Sequence, residues 1–423
     1  MAHESSPLAI VHIGQLVTLA GPAGPRAGKQ LRELGLVADA ALVIEDGRIL
    51  AAGRYADLRG QIHDFESRNC KIIDAGGHLV TPGFVDAHTH LAFAGNRAAE
   101  YEQRIAGATY QEIAAAGGGI QSTVRLTRAA TDAELLAQTR RHRDWLLRGG
   151  TTTLEAKSGY GLNTETELRL LRTLAALHAE GPVRIVPTLL AAHTVPLEYA
   201  DDRAGYIRSI LEELLPVVAH KSLARYCDAF CDDHAFTVDE CRTVLTAAAR
   251  HGLGLRIHAE QFRPGTGAAL AAELRATTAD HLETIDEPTI AMLARAAVQP
   301  VLLPASVFCL SRTEYPPARR MIDAGLAVVL ATDFNPGSAP APSMSFTLSL
   351  ACLQMRMTPA EALTAATLNA AHSLGLGAEI GSLEPGKCAD FLLHEIDDYR
   401  ELAYFAAAPL RPRVFIAGRE VTP

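Results

Sequence analysis

Between residues 79 and 333 the chain alternates, eight times over, an apolar run of strand length with a stretch of helical patterning. The runs are 79–90, 151–158, 184–193, 225–232, 254–260, 278–283, 298–304 and 327–333. A strand buried on both faces reads as a continuous apolar run, and strands alternating with helices are the mark of βα units joined into a parallel sheet. Eight such units predict an α/β fold built on a (β/α)8 TIM-type barrel. The helix boundaries agree: Thr131 with Glu134, Thr164 with Glu167, and Thr358-Pro359 with Glu361 have capping-box spacing, and Gly149 and Gly181 stand where helices would stop.

Outside the repeat the strands are short and broken by Gly, Pro and Asp46-Gly47: 10–19, 41–44, 47–51 and 71–74 before it, 390–394 and 414–416 after Gly381. The two chain ends are expected to build one small β-sandwich-like domain together. The organisation is then 1–78 and 381–423 for the two parts of that domain and 79–380 for a catalytic barrel.

Composition narrows the function. A formal charge of -9 with 39 Lys and Arg leaves no electrostatic footprint for nucleic acid or an anionic membrane, so a small molecule is the expected partner. Seven scattered cysteines without a C-x-x-C pair describe neither a disulfide framework nor a structural zinc site, and fit a reducing cytoplasm. The first ten residues lack the basic and apolar regions of a secretory leader, and no stretch approaches the ~18 apolar residues of a membrane helix.

Active sites of such barrels lie at the C-terminal ends of the strands. Here the runs end in Asp86-Ala-His88-Thr-His90, His193, His258-Ala-Glu260, Asp280-His281 and Thr332-Asp333. Two histidines two residues apart on a strand share a face and can grip one cation. His258 and Asp333 add a nitrogen and a hard oxygen, a set that suits zinc or iron better than calcium or magnesium. Asp333 is placed both to touch the cation and to take a proton from water. Glu260 is either a proton shuttle or a helix-start carboxylate facing solvent. His281 either polarises a carbonyl or is a hydrogen-bonded loop histidine. Cys227 and Cys231 read as core thiols.

With those residues the chain resembles the amidohydrolase superfamily, and within it the imidazolonepropionase family. The likeness is carried by Pro82-Gly-Phe-Val-Asp-Ala-His-Thr-His90, Phe93-Ala-Gly-Asn-Arg97, Gly107-Ala-Thr-Tyr110, Leu154-Glu-Ala-Lys-Ser-Gly-Tyr-Gly161, Ala279-Asp-His-Leu-Glu283 and Ala331-Thr-Asp-Phe-Asn-Pro-Gly-Ser338. The resemblance implies that His88, His90, His258 and Asp333 hold zinc or iron, and that Arg97, Tyr160, His193, Gln261, Asn335, Gly337 and Ser338 contact substrate or product. A guanidinium with a phenol is a sensible receptor for the substrate's propionate, and the loop carrying Tyr160 looks mobile enough to close on ligand. No lysine ends the third or fourth run to bridge two metals, so one divalent ion per subunit is expected.

The activity implied is hydrolysis of 4-imidazolone-5-propanoate to N-formimidoyl-L-glutamate by a metal-activated water. Asp333 and Glu260 would relay protons, and His281 would steady the developing oxyanion. A homodimer is implied as well. The alternative is another cyclic amidohydrolase, or a deaminase, on the same barrel. One departure from the family pattern, Pro304-Ala-Ser-Val307 after the seventh run, is expected to touch no ligand.

Overall fold

A computed structural model of the chain describes residues 7–108, 112–113, 117–232, 235–406 and 408–422. Thr109 and Tyr110 of the quoted Gly107 segment therefore lie outside the described residues. The strands form two sheets.

The first sheet joins the chain ends. It takes β1 (Leu8–Val17), β2 (Leu36–Glu45), β3 (Arg48–Arg54), β4 (Lys71–Asp74) and β5 (Leu79–Pro82) from one end, and β14 (Phe391–Leu393), β15 (Arg413–Ile416) and β16 (Arg419–Val421) from the other. The period-two alternation of a strand explains its two faces. Ile10, Leu16, Leu42 and Ile44 pack with Phe391 and Phe415 on one side, while Ala9, Val11, Ala41 and Val43 meet Ile62 and Phe65 of the helix Tyr55–Ser67 on the other.

The second sheet is the parallel barrel: β6 (Phe84–Asp86), β7 (Thr151–Lys157), β8 (Arg184–Ala192), β9 (Tyr226–Cys231), β10 (Gly254–Ala259), β11 (Thr278–His281), β12 (Gln299–Leu302) and β13 (Val329–Leu330), each beside the next. The seam is closed by a parallel bridge between Thr89 and Phe334, with Asp333 N–H donating to His88 O at 3.1 Å and His90 N–H to Phe334 O at 2.9 Å. Barrel closure thus brings the first and last strand ends, and the residues on them, side by side.

Two local expectations change. The run 79–90 is not one barrel strand: β5 pairs with β1 and β14, and the barrel begins only at β6. The chain changes partners at Gly83, whose N–H donates to Asp390 O at 3.0 Å while Phe84 N–H donates to Gly150 O at 3.1 Å; a Cβ on Gly83 would fall 2.3 Å from Thr152 Oγ1. Thr164 is not an N-cap either. Asn163 caps that helix by accepting from Thr166 N–H, which frees Glu167 to point inward. The boxes at Thr131 and Thr358 form as read, and Thr237 with Glu240 makes another.

Candidate active site

His88, His90, His258 and Asp333 meet at the C-terminal mouth of the barrel, all at most 3% exposed. Asp333 Oδ1 lies 3.5 Å from both His88 Nε2 and His90 Nε2, and His258 Nε2 lies 3.5 Å from His90 Nε2. A tetrahedron with bonds of about 2.1 Å has edges of about 3.4 Å; these three separations are of that length, His88, His90 and Asp333 forming one compact donor group that His258 approaches beside His90. His88 Nε2 and both Asp333 oxygens are buried without a hydrogen-bond partner, a costly arrangement that a cation would resolve. The donor set fits a divalent cation.

Electrostatics favour the same use. Burial, with neighbouring cations, holds His88 and His90 well below the usual histidine range, and burial lowers His258 to about 4. All three are neutral imidazoles with a lone pair to offer. Two of their far nitrogens are held: His88 Nδ1 meets Asp280 Oδ2 at 2.6 Å and His258 Nδ1 meets Asp228 Oδ1 at 3.1 Å. Such carboxylate partners set which nitrogen carries the proton and leave Nε2 free to ligate.

Glu260, His281 and Asp333 share an unusual backbone, with φ of 49°, 78° and 54°. This left-handed region disfavours side chains with a Cβ, and its recurrence at three strand ends stores strain where the chain turns to aim a polar group inward. Glu260 is a helix-start carboxylate, but it does not face solvent. It sits at the start of the helix Gly267–Glu273, accepting from Ala268 N–H at 3.0 Å, yet it is buried, and burial pushes its carboxyl up to about 7. Burial likewise raises Asp333 to about 6. For His281 burial pulls downward, but Glu283, 3.4 Å from Nδ1, more than offsets it, and the imidazole is raised.

The residues implied for substrate lie around this cluster. His193 stacks on His90 at 5.2 Å, and Tyr160 lies against both rings. Arg97 reaches the loop after β13 so closely that a Cβ on Gly337 would stand 1.6 Å from its Nη2. Gln261 is buried, with Nε2 3.4 Å from Ser306 Oγ. Asn335 is engaged in its own loop: Oδ1 accepts from Gly337 and Ser338 N–H at 2.8 Å, and Nδ2 donates to Asp333 O and Ser338 Oγ. Its side chain shapes the loop that carries Gly337 and Ser338.

The glycine loop expected to be mobile is pinned. Glu167 accepts from the N–H groups of Gly159, Gly161 and Leu162 at 3.0, 2.7 and 2.8 Å, and His193 Nδ1 meets Gly159 O at 2.9 Å. Glu167→Gln would leave an amide N–H facing the Gly159 donor, a mismatch worth ~1–3 kcal/mol. We expect KM to rise about tenfold with a smaller fall in kcat; steady-state kinetics beside a urea melt would check this, and an unchanged KM would remove the loop from substrate binding.

Sequence reasoning missed several of these residues. Ser306 Oγ lies 3.4 Å from Gln261 Nε2, so the departure at 304–307 meets a residue implied for substrate. Asp228, Asp280, Glu167 and Glu283 are buried anchors for the site side chains; in sequence Asp280 and Glu283 stand only within a strand-end segment and Glu167 only at capping-box spacing, with nothing to give them an anchoring role. Asp228 falls inside an apolar run, the one signal that could have marked it, and a place on β9 names a strand face rather than a partner.

The barrel with this mouth defines a metal-dependent hydrolase class: residues 79–421 match the amidohydrolase family model. Solved structures agree on the fold. Guanine deaminase of E. coli covers 99% of both chains with a TM-score of 0.70 at 17% identity, and a zinc-bound adenosine deaminase of Xanthomonas campestris gives 0.69 at 20% over 98% of this chain and 92% of that one. Among curated relatives, the imidazolonepropionase of Solibacter usitatus is 56% identical over 98% of both chains, and that of Symbiobacterium thermophilum 45% over 97% of this chain and 96% of its own. The chain belongs to the amidohydrolase family, in its imidazolonepropionase branch. No helix among the described residues is long and apolar enough to cross a membrane.

Proposed function

We propose that the protein hydrolyses 4-imidazolone-5-propanoate to N-formimidoyl-L-glutamate, the ring-opening step of histidine degradation. One zinc or iron ion would be held by His88, His90, His258 and Asp333. The observation that carries the reading is the meeting, at one barrel mouth, of the donors His88, His90 and Asp333, with His258 beside His90, and a guanidinium packed on Gly337. A ring amide bearing a propionate needs both parts: a centre that opens the amide and a cation to hold the tail.

When bound, the divalent ion supplies a water acidified toward neutral pH and polarises the ring carbonyl. The remaining work falls to side chains. Asp333 takes the proton of the attacking water. Glu260, with its carboxyl near 7, hands a proton to the ring nitrogen as the C–N bond breaks. That nitrogen becomes the terminal nitrogen of the formimidoyl group, and the carbonyl carbon becomes the new carboxylate, so one water is consumed. His281, kept protonated more readily by Glu283, donates to the developing oxyanion.

Arg97 has a side chain only 10% exposed, where a charge-assisted bond counts for more than in water. Arg97→Met is expected to raise KM ~30-fold or more while kcat changes little, because the propionate is held equally in ground and transition states. An equal KM would remove that role. A cytoplasmic homodimer is the setting this reading carries; all seven cysteines are free, which supports a reducing compartment.

The deciding experiment generates imidazolone propionate in situ from urocanate and follows its ultraviolet absorbance after adding protein of measured metal content. Loss that tracks bound metal and yields formimidoylglutamate supports the reading. No acceleration by the metal-loaded protein would overturn it.

A further inference from the structure

Directly beneath the ligand cluster the barrel interior is charged, where a barrel core ordinarily stacks branched apolar side chains. Glu155, Lys157, Asp228, Arg256 and Asp280 all have 0% exposure. Lys157 Nζ donates to Glu155 Oε1 at 2.8 Å, pairs with Asp228 Oδ2 at 2.8 Å and lies 3.9 Å from Asp280 Oδ2. The same two aspartates grip the histidines, Asp228 through Oδ1 on His258 and Asp280 through Oδ2 on His88. One ammonium therefore stands behind both imidazole clamps.

We propose that Lys157 is a positioning residue for the cation site. By holding Asp228 in place at 2.8 Å and flanking Asp280 together with Arg256, it keeps the two carboxylates seated on Nδ1 of His258 and His88 and so turns both Nε2 atoms to the cation. The Asp228 carboxylate divides its oxygens between His258 and Lys157, so neither contact survives its rotation. The other buried cation of this layer shares Asp280 but does not reach Asp228 in any ion pair found among the described residues: Arg256 donates to Ala87 O at 2.8 Å and Ser373 O at 3.3 Å, lies over the Tyr226 ring and stands 3.8 Å from Asp280 Oδ2. Glu155 completes the ammonium's surroundings and receives Thr89 N–H at 3.2 Å, but no histidine bond to it is found among the described residues. Burying these charges unpaired would be costly, which makes the ammonium and its carboxylates one unit.

The inference rests on the reading of the cluster as a cation site, and the test separates the two. Zn2+ affinity of metal-stripped protein is measured by competition with a chromogenic chelator, alongside circular dichroism of the apo form, for the parent and for Lys157→Met, Glu155→Gln and the double variant. Loss of an outer partner of a metal-binding histidine weakens binding on the order of 10–100-fold. That loss is expected in Lys157→Met and in the double variant, with Glu155→Gln staying close to the parent. The double variant removes one charge of each sign, so it keeps the buried balance and decides the question if the single one does not fold. Parental zinc affinity in either folded Lys157 variant overturns the positioning role. A parent that binds no zinc overturns the cation reading itself.

Discussion

Asp333→Asn is expected to lower kcat by about a thousandfold while the protein still folds and still carries metal. The carboxylate has two buried oxygens without a hydrogen-bond partner, one of them 3.5 Å from both His88 Nε2 and His90 Nε2. An amide of the same shape keeps one oxygen but cannot accept the proton of water, and positioned proton transfer typically contributes a factor of ~10²–10⁴. The local fold should survive. Asp333 is held through its backbone: its N–H donates to His88 O and its carbonyl accepts from Asn335 Nδ2, and the substitution alters neither. Turnover measured together with metal content decides it: near-normal kcat with metal bound would remove Asp333 from proton transfer.

Glu260→Gln should produce the second large effect, and in two directions. Turnover falls by about a hundredfold or more, since an amide cannot relay a proton. The metal-stripped protein, however, becomes more stable at high pH. Burial raises the Glu260 carboxyl from 4.5 to about 7, so the native state binds the proton more tightly than the unfolded chain. Above pH 7 the parent must bury a charge that unfolding would release, a penalty of at most a few kcal/mol. It shrinks as pH falls through 7 and is gone below 4.5, where both states are protonated. Gln lacks the penalty throughout and still offers an oxygen to Ala268 N–H. Melting curves at pH 8 and pH 5 should show a much larger gain for the variant at the higher pH. A gain of equal size at both would mean that packing, not charge, limits stability there.

Much of the mouth was legible because a barrel converts order along the chain into position. Each strand runs the same way, so the residue that closes an apolar run arrives at one end, and His88, His90, His258, Glu260, His281 and Asp333 all lie at or near the close of a run. Side chains reaching the site from elsewhere were not legible. Glu167 has the right spacing for a capping box with Thr164, and local spacing cannot reveal that Asn163 caps the helix and sends Glu167 to three loop N–H groups. Lys157 follows Glu155 on β7, but its partners Asp228 and Asp280 come from β9 and β11.

What the sequence determined by itself is therefore the periodic part: eight buried runs, the helices between them, and the polar residues at the run ends, because apolar periodicity and capping act over a few neighbouring residues. The tertiary structure alone decided which charges share a buried space, how the strand ends twist into left-handed φ to aim Glu260, His281 and Asp333, and that the Tyr160 loop is clamped rather than free. Those outcomes depend on contacts between segments far apart along the chain, whose geometry exists only once the barrel has closed and water has left its interior.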